Sequence, residues 1–307
     1  MIDDETAPID AATQAQSRAL AVGRVVAPLE AGTRLGRFEL KGLLGRGGFS
    51  LVYAAHDTEA GRDVALKVLR EPDAWRSASA QRRAFLHESK ALAQLRHPGI
   101  VRVYDAGVLE GHPLIVMEKV DGESFEVWLS AGRSPSAVVE CWLAICDAVA
   151  AAHGVSIVHR DLKPSNVIVT GRGAIKLLDF GLARSSTQAR TASSVIYGSG
   201  GYTAPERLRG DPGGPAGDQY ALAVLLAVGL GAEVPTVGSA PQLPDGVTPR
   251  LRDALSTALA DDPERRFESV QALASAIRRA QPSRRPLLFG AAVLTVALIV
   301  LIVAFAR

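Results

Sequence analysis

Aromatic residues are scarce, at 5% of 307 positions, and cysteine occurs only as Cys141 and Cys146. Two cysteines five apart in a helix-like stretch make neither a disulfide framework nor a zinc-ligand set, so a reducing cytosol is the expected setting. An excess of one charge is also missing. The 34 basic and 32 acidic residues leave a net charge of +2, which excludes a nucleic-acid footprint across the whole surface, and no nucleic-acid partner is expected. Wholesale disorder is excluded by 48% hydrophobic residues, enough to offset the entropy of ordering a chain with room for roughly two domains or lobes. Nothing near the N-terminus resembles a secretory signal. Lysine is rare too, supplying six of the 34 basic residues.

What the chain does have is an apolar surplus, a mean hydropathy of +0.14, and it is concentrated at the C-terminal end. Residues 286–306 (PLLFGAAVLTVALIVLIVAFA) carry no charge, and Thr295 is their single hydroxyl. As a helix they would be roughly 31 Å long, about the hydrocarbon thickness of a bilayer. A buried core helix is the alternative, and the uncharged but shorter run 219–232 (QYALAVLLAVGLGA) is read that way. Arg278, Arg279, Arg284 and Arg285 precede the long run and Arg307 follows it, so a spanning helix is expected to keep the preceding chain in the cytoplasm, with no domain expected on the far side. The membrane lipid bilayer is therefore an expected partner and the cytoplasmic membrane the expected location, with a short basic linker at 281–285. Residues 1–34, with Asp3, Asp4 and Glu5 and no sustained apolar period, predict an arm without fixed structure.

Between these ends the pattern changes once. Short β-like runs at Phe38-Glu39-Leu40, Leu51-Val52-Tyr53 and Val64 to Leu69 are broken by glycine and by the turn formers Asp57 and Gly61, as in an antiparallel meander. A helical stretch around 79–95 and further short strands to Met117 follow. Beyond 120 helices dominate: over 137–154, Val138, Trp142, Ile145, Val149 and Ala152 recur at helical spacing. The expectation is an α+β chain, with a small β-rich lobe at about 35–117 and a larger helical lobe at about 121–280.

Five short motifs carry the chemistry. Gly45-Arg46-Gly47-Gly48-Phe49-Ser50-Leu51-Val52 lies between two strand-like runs, and glycines let a backbone fold over phosphates. It opens no helix and lacks a following Lys-Ser/Thr, so neither a Walker loop nor a dinucleotide fingerprint fits. Val64-Ala65-Leu66-Lys67 ends an apolar strand on one of the few lysines, a compact point charge suited to phosphate oxygens. His159-Arg160-Asp161-Leu162-Lys163-Pro164-Ser165-Asn166 sets an acid, an ammonium and an amide close together before an apolar run. Leu177-Leu178-Asp179-Phe180-Gly181 puts a carboxylate at a strand end, and Ala204-Pro205-Glu206 follows. Each alone could be an ordinary loop, hairpin turn or strand end.

Together and in this order the five resemble the signature set of protein kinases, from about Leu35 to Ala280, in the style of membrane-anchored bacterial eukaryotic-like (Hanks-type) serine/threonine kinases. The resemblance implies the two-lobed kinase fold, ATP with Mg²⁺ (or Mn²⁺) as cofactors, and protein Ser/Thr hydroxyls as acceptors in signalling from the membrane. It leaves room for a homodimer through the kinase domain. It further implies that Leu44, Gly45, Arg46, Gly47, Gly48, Phe49, Ser50 and Val52 cover ATP and that Lys67 holds its α- and β-phosphates. Glu88 would be the ion-pair partner of Lys67. By the same resemblance Met117, Glu118 and Val120 would form the hinge against adenine, with Val52, Ala65 and Ile168 around the base. Asp161 would take or orient the hydroxyl proton, Lys163 would neutralise the γ-phosphoryl, and Asn166 and Asp179 would ligate the metal.

Ser50 stands where the family loop has its third glycine. Asp218 resembles the buried acid that braces the catalytic loop, and Arg266 the partner of Glu206. Arg160 resembles the guanidinium that pairs with an activation-loop phosphate, for which Thr191 and Ser193 are the best-placed acceptors, while Ser199 resembles the residue that contacts Asp161 and Lys163. Residues 229–251, rich in Gly and Pro, lack the helical period the family has there for docking. The alternatives are a nucleotide-binding pseudokinase scaffold that recruits partners at the membrane, and a small-molecule phosphotransferase.

Overall fold

The computed structural model describes residues 28–47, 50–69, 89–109, 112–180 and 200–281. The first lobe is an antiparallel sheet of β1 (Arg34–Leu35), β2 (Phe38–Arg46), β3 (Ser50–Asp57), β4 (Arg62–Leu69), β5 (Val103–Leu109) and β6 (His112–Glu118). Its order is β1-β2-β3-β4-β6-β5, so the meander of the first four strands is followed by a crossover that places β6 inside and β5 at the edge. The physical reason is burial: Leu114, Ile115, Val116 and Met117 of β6 are all buried, whereas β5 is mostly half-buried.

Register explains why β4 is apolar almost throughout. Val52 faces Lys67 across the β3–β4 ladder, Ala54 faces Ala65, and Ala65 and Lys67 face Met117 and Ile115 of β6. Opposed residues share a face of the sheet, and alternate residues along a strand do too. One face therefore carries Val52, Ala54, Ala65, Lys67, Ile115 and Met117, and the other carries Leu51, Tyr53, Val64, Leu66, Val68, Leu114 and Val116, the core of this lobe.

The turn formers act as expected: the Asp57 carboxylate accepts from the amides of Glu59 and Ala60, and Gly61 has φ of 61°. Residues 28–34, the end of the expected arm, are docked on the sheet. Leu29 donates its amide to the Tyr53 hydroxyl, Gly32 and Leu40 are joined at 2.7 Å, and β1 pairs with β2, because Leu29 and Leu35 bury apolar surface on the sheet. Residues 1–27 lie outside the described residues.

The second lobe contains β7 (Glu123–Ser124), α1 (Phe125–Ser130), α2 (Pro135–His153), β8 (Val167–Val169), β9 (Ile175–Leu177), α3 (Pro205–Leu208), α4 (Pro215–Gly229), α5 (Pro249–Ala258) and α6 (Val270–Ala280). Helix starts follow local chemistry. Ser134, Thr248 and Ser269 accept the orphan amides of Ala137, Leu251 and Ala272, and proline occupies the first turn of α2, α3, α4 and α5. The predicted stripe Val138, Trp142, Ile145, Val149 and Ala152 is buried, with the Trp142 indole donating to the Leu222 carbonyl at 2.7 Å.

Helix α2 is long and apolar enough to cross a bilayer by length and composition, yet it packs in the core against α4 and α6. Helix α4, which begins the run 219–232, is buried on every side from Asp218 to Ala227, as a central helix must be. Burial pushes the Cys141 thiol up to about 12 and that of Cys146 well above its ordinary value, so both act as small core hydrophobes. The segment 286–306 lies outside the described residues.

Two features position the cleft between the lobes. Residues 99–101 are stitched to β9: Ile100 bridges Leu177, Val101 donates to the Leu177 carbonyl at 3.0 Å, and Leu177 donates to that of Gly99 at 2.8 Å. Between α4 and α5, residues 230–248 form turns without a helix, as their composition predicts. The carbonyl of Pro235 in this stretch packs onto Gly201, where a Cβ would collide with it.

Candidate active site

The cleft face of the first sheet becomes the roof of a pocket. Ala65, Val101 and Met117 form a small buried cluster with Val52, Val120 and Leu178 packed against it. Val52, Ala65, Met117 and Val120 were expected around a base; Val101 and Leu178 were not. Leu178 had a signal, since it directly precedes Asp179, whereas Val101 reaches the cleft through the stitching of 99–101 to β9. Ile168 lies on β8 with its side chain against Gly122 of the interlobe connection, where a Cβ on the glycine would meet Ile168 Cγ2 at 2.6 Å. The carboxylate of Glu118 accepts from Lys176 Nζ at 2.8 Å and from the Arg102 amide at 3.2 Å, joining the hinge to the second lobe.

The glycine-rich hairpin lies above this pocket. A register shift between Leu43 and Gly45 bulges Leu44 out of the ladder and leaves it exposed. Gly45 faces Val52 and so shares its cleft side, yet a Cβ there would meet no protein atom within 4 Å. Packing within the chain does not demand a glycine at Gly45; close approach of a bound group would. Gly47 donates to the Ser50 carbonyl at 2.8 Å, and Ser50 is buried. Gly48 and Phe49 lie outside the described residues, and Arg46 ends β2 beside them.

Below the hairpin the charged groups converge. Lys67 Nζ pairs with Asp179 Oδ1 at 2.8 Å, and Lys163 Nζ with Asp161 Oδ2 at 3.0 Å. Asn166 Nδ2 donates to the Asp161 carbonyl at 2.7 Å and its carboxylate at 3.2 Å. Burial opposes ionisation of Asp179, but the Lys67 ammonium, supported by Lys163, outweighs it and holds the carboxyl below the usual aspartate range. The expected partner Glu88 lies outside the described residues, so Asp179 is the acid seen beside Lys67.

The donor set suits a hard, oxygen-seeking cation. Asn166 commits its amide nitrogen to Asp161, which leaves the carbonyl oxygen as its ligand atom, and Asp179 stays ionised. Among the described residues no three His, Cys, Asp or Glu side chains cluster as a self-sufficient metal cage. One carboxylate and one amide fit an ion that keeps water and takes phosphate oxygens, as Mg²⁺ does.

The loop that carries Asp161 is held from below. Asp218 accepts from the amides of His159 and Arg160 at 2.8 and 2.9 Å, and from His153 Nε2 at 2.8 Å. Arg160 and Asp179 both have positive φ, 64° and 50°, at a cost of about 1–3 kcal/mol each that the surrounding bonds must offset. His159 donates from Nε2 to the Leu178 carbonyl at 2.7 Å and accepts the Asp161 amide at Nδ1, 3.3 Å away, so its ring is the neutral Nε2–H tautomer. It packs on Phe180 with ring centroids 4.7 Å apart.

Burial, partly offset by Asp218, lowers the pKa of His159 below its ordinary 6.5. As pH falls through 6.5 the unfolded chain therefore binds a proton ahead of the folded chain, and stability falls with falling pH there, by at most about 1.4 kcal/mol per unit. Urea unfolding between pH 7.5 and 5.5 should show this slope, and His159→Gln should lack it; equal slopes in the two proteins would refute the assignment.

The Glu206–Arg266 pair is formed: Arg266 Nη1 and Nη2 meet the two carboxylate oxygens at 2.8 Å each. Thr191, Ser193 and Ser199 lie outside the described residues. Arg160 Nε is buried without a hydrogen-bond partner among the described residues.

A β-sheet lobe over a helical lobe, with a glycine hairpin, a strand lysine and two acid-bearing loops meeting at the cleft, is the two-lobed protein kinase fold. Residues 38–286 match the protein kinase domain family, and the chain belongs to that family. Its curated relatives include the probable serine/threonine-protein kinase SCO3848 of Streptomyces coelicolor, 38% identical over 76% of this chain and 38% of the relative. Another is the serine/threonine-protein kinase PknB of Mycobacterium tuberculosis, 34% identical over 81% of this chain and 44% of the relative. The chain thus spans about two fifths of the length of these proteins. Among solved structures, the kinase domain of PknI from Mycobacterium tuberculosis superposes with a TM-score of 0.67 at 29% identity, covering 83% of this chain and 100% of that one. The matched domain is thus of the bacterial serine/threonine kinase type.

Proposed function

We propose that the chain transfers the γ-phosphoryl group of ATP to serine and threonine hydroxyls of proteins, including its own activation loop. The observation that carries this reading is the convergence of Lys67–Asp179 and Lys163–Asp161–Asn166 under the glycine hairpin. Adenine would lie among Val52, Ala65, Met117, Val120, Ile168 and Leu178, with hinge backbone at Glu118 and Val120 reading its edge. Lys67 would hold the α- and β-phosphates, Lys163 would neutralise the transferring group, and Asp161 would orient the acceptor hydroxyl and take its proton. Asn166 and Asp179 would hold Mg²⁺, or Mn²⁺ in its place; the ion supplies neutralisation of phosphate charge. With a loose transition state, positioning and charge neutralisation are most of the work, which suits a site built from fixed charges.

Arg160, whose buried Nε has no hydrogen-bond partner among the described residues, is suited to receive a phosphate from Thr191 or Ser193. Residues 286–306 would span the bilayer and keep the kinase domain on the cytoplasmic side. Supplied with γ-labelled ATP and Mg²⁺, the full chain is expected to label itself at Thr191 or Ser193, as read by mass spectrometry. EDTA or Asp179→Asn should abolish the label, and an unlabelled wild-type chain would defeat the reading. Carbonate washing of membranes tests the anchor: a chain released by the wash is not integral.

A further inference from the structure

We infer that Arg207 is a positioning residue for phosphoryl transfer, clamping the catalytic loop by the one backbone carbonyl that Asp218 cannot reach; this rests on the kinase reading above. Asp218, a carboxylate, can only accept, and it holds the amides of His159 and Arg160. The next peptide group, between Arg160 and Asp161, is fixed at its N–H by His159 Nδ1. Its C=O accepts a hydrogen bond from Arg207 Nη1. This peptide follows a residue with φ of 64° and leads directly into Asp161, so its plane sets the direction in which the Asp161 side chain leaves the backbone. Arg207 enters a cleft lined by Arg160, Asp161, Tyr202, Thr203 and Asp218, one residue beyond Glu206 in sequence but on the catalytic side of α3.

A second observation shows that the chain is shaped around this side chain. Gly213 lies over the Arg207 stem with φ of 82°, and a Cβ there would meet Arg207 Cδ at 2.7 Å and Nε at 3.0 Å. The turn that makes this channel is held by the Asp211 carboxylate, which accepts the Gly213 amide at 2.7 Å, and by the Asp211 amide, which donates to the Glu206 carbonyl at 3.1 Å. At the neighbouring Gly214 a Cβ would meet nothing within 4 Å. A guanidinium is never deprotonated in this setting, so the donor is present at every working pH.

The test uses the full chain and two readouts. Arg207→Met keeps the apolar volume of the stem and removes the donor. It is expected to lower kcat by about 10–100-fold, as misplacement of a reacting group does, with KM for ATP within about twofold because the clamp acts on the Arg160 carbonyl and not on the residues placed around the nucleotide. Arg207→Lys, which keeps a donor, should recover part of the loss. Gly213→Ala, which displaces the stem but leaves Arg207 in place, should reproduce the Met variant, whereas Gly214→Ala should not. Hydrogen exchange of the amides at 159–161 is the activity-independent readout and should accelerate in Arg207→Met. Wild-type exchange in Arg207→Met, a rise in KM for ATP matching the fall in kcat, or a Lys variant no better than Met would each overturn the clamp. If the wild-type chain transfers no phosphate, the kinase reading fails and exchange alone decides the clamp. Should Arg207→Met not fold, Gly213→Ala carries both readouts.

Discussion

Replacing Asp161 with alanine is expected to lower the rate of phosphoryl transfer by on the order of 10²–10⁴-fold, the contribution of a positioned proton acceptor, with the fold and ATP binding retained. The side chain is held by Lys163 at 3.0 Å and Asn166 at 3.2 Å, so its carboxylate is aimed before any substrate arrives. Both partners are themselves polar residues of the cleft, which is why the loss should fall on catalysis and not on stability. Asp161→Asn separates the two roles the carboxylate has been given. It keeps the volume and an oxygen for Lys163 but is a far weaker proton acceptor, so activity between wild type and alanine would mean that orientation contributes alongside proton transfer. Initial rates of label transfer from γ-labelled ATP measure both, and an alanine variant as fast as wild type would rule out the assigned role.

The largest effect on stability is expected at Arg266. Arg266→Ala should cost about 3–5 kcal/mol, the penalty for leaving one member of a buried ion pair without its partner. The Arg266 side chain is fully buried, and besides Glu206 it donates to the carbonyls of Ala260 and Ala216, each at 2.9 Å. It also lies over the Tyr220 ring, 5.2 Å from the centroid. One side chain thus ties α3, α4 and the loop after α5 together, and its removal strands the Glu206 carboxylate away from water. Glu206→Gln combined with Arg266→Met should cost less than the sum of the two single changes, since the stranded charge disappears with its partner. Urea unfolding of the four proteins completes the cycle, and strictly additive losses would show that the pair is not the source of the effect.

Much of the site was legible before any fold was known, because it is built from short contiguous motifs. The spacing within His159–Asn166 already sets Asp161, Lys163 and Asn166 on one loop, and the apolar residues on both sides of Lys67 already mark a buried strand that carries one charge, although β4 runs on to Leu69 and does not end at the lysine. Residues that act through distant chain segments left weaker marks or none. Val101 enters the cleft through a bridge to β9, and Glu118 meets Lys176 across the lobe boundary. The docked stretch 28–34 was hidden because its apolar positions, Leu29 and the following Leu35, are too few and too widely spaced to form a period.

By itself the sequence determined which chemical groups are available, in which order, and on which kind of element each would sit. Local rules suffice for that: alternation for strands, helical spacing for α2, serine and proline for helix starts. Tertiary structure alone decided which groups meet. Lys67 and Asp179 are far apart in sequence, yet they lie 2.8 Å from one another because the residue 99–101 segment is hydrogen-bonded to β9 and brings the cleft face of one lobe over the strand end of the other. Arg207 reads in sequence as an ordinary charge after Glu206, and it becomes a clamp only because a left-handed residue turns a carbonyl toward a channel floored by glycine.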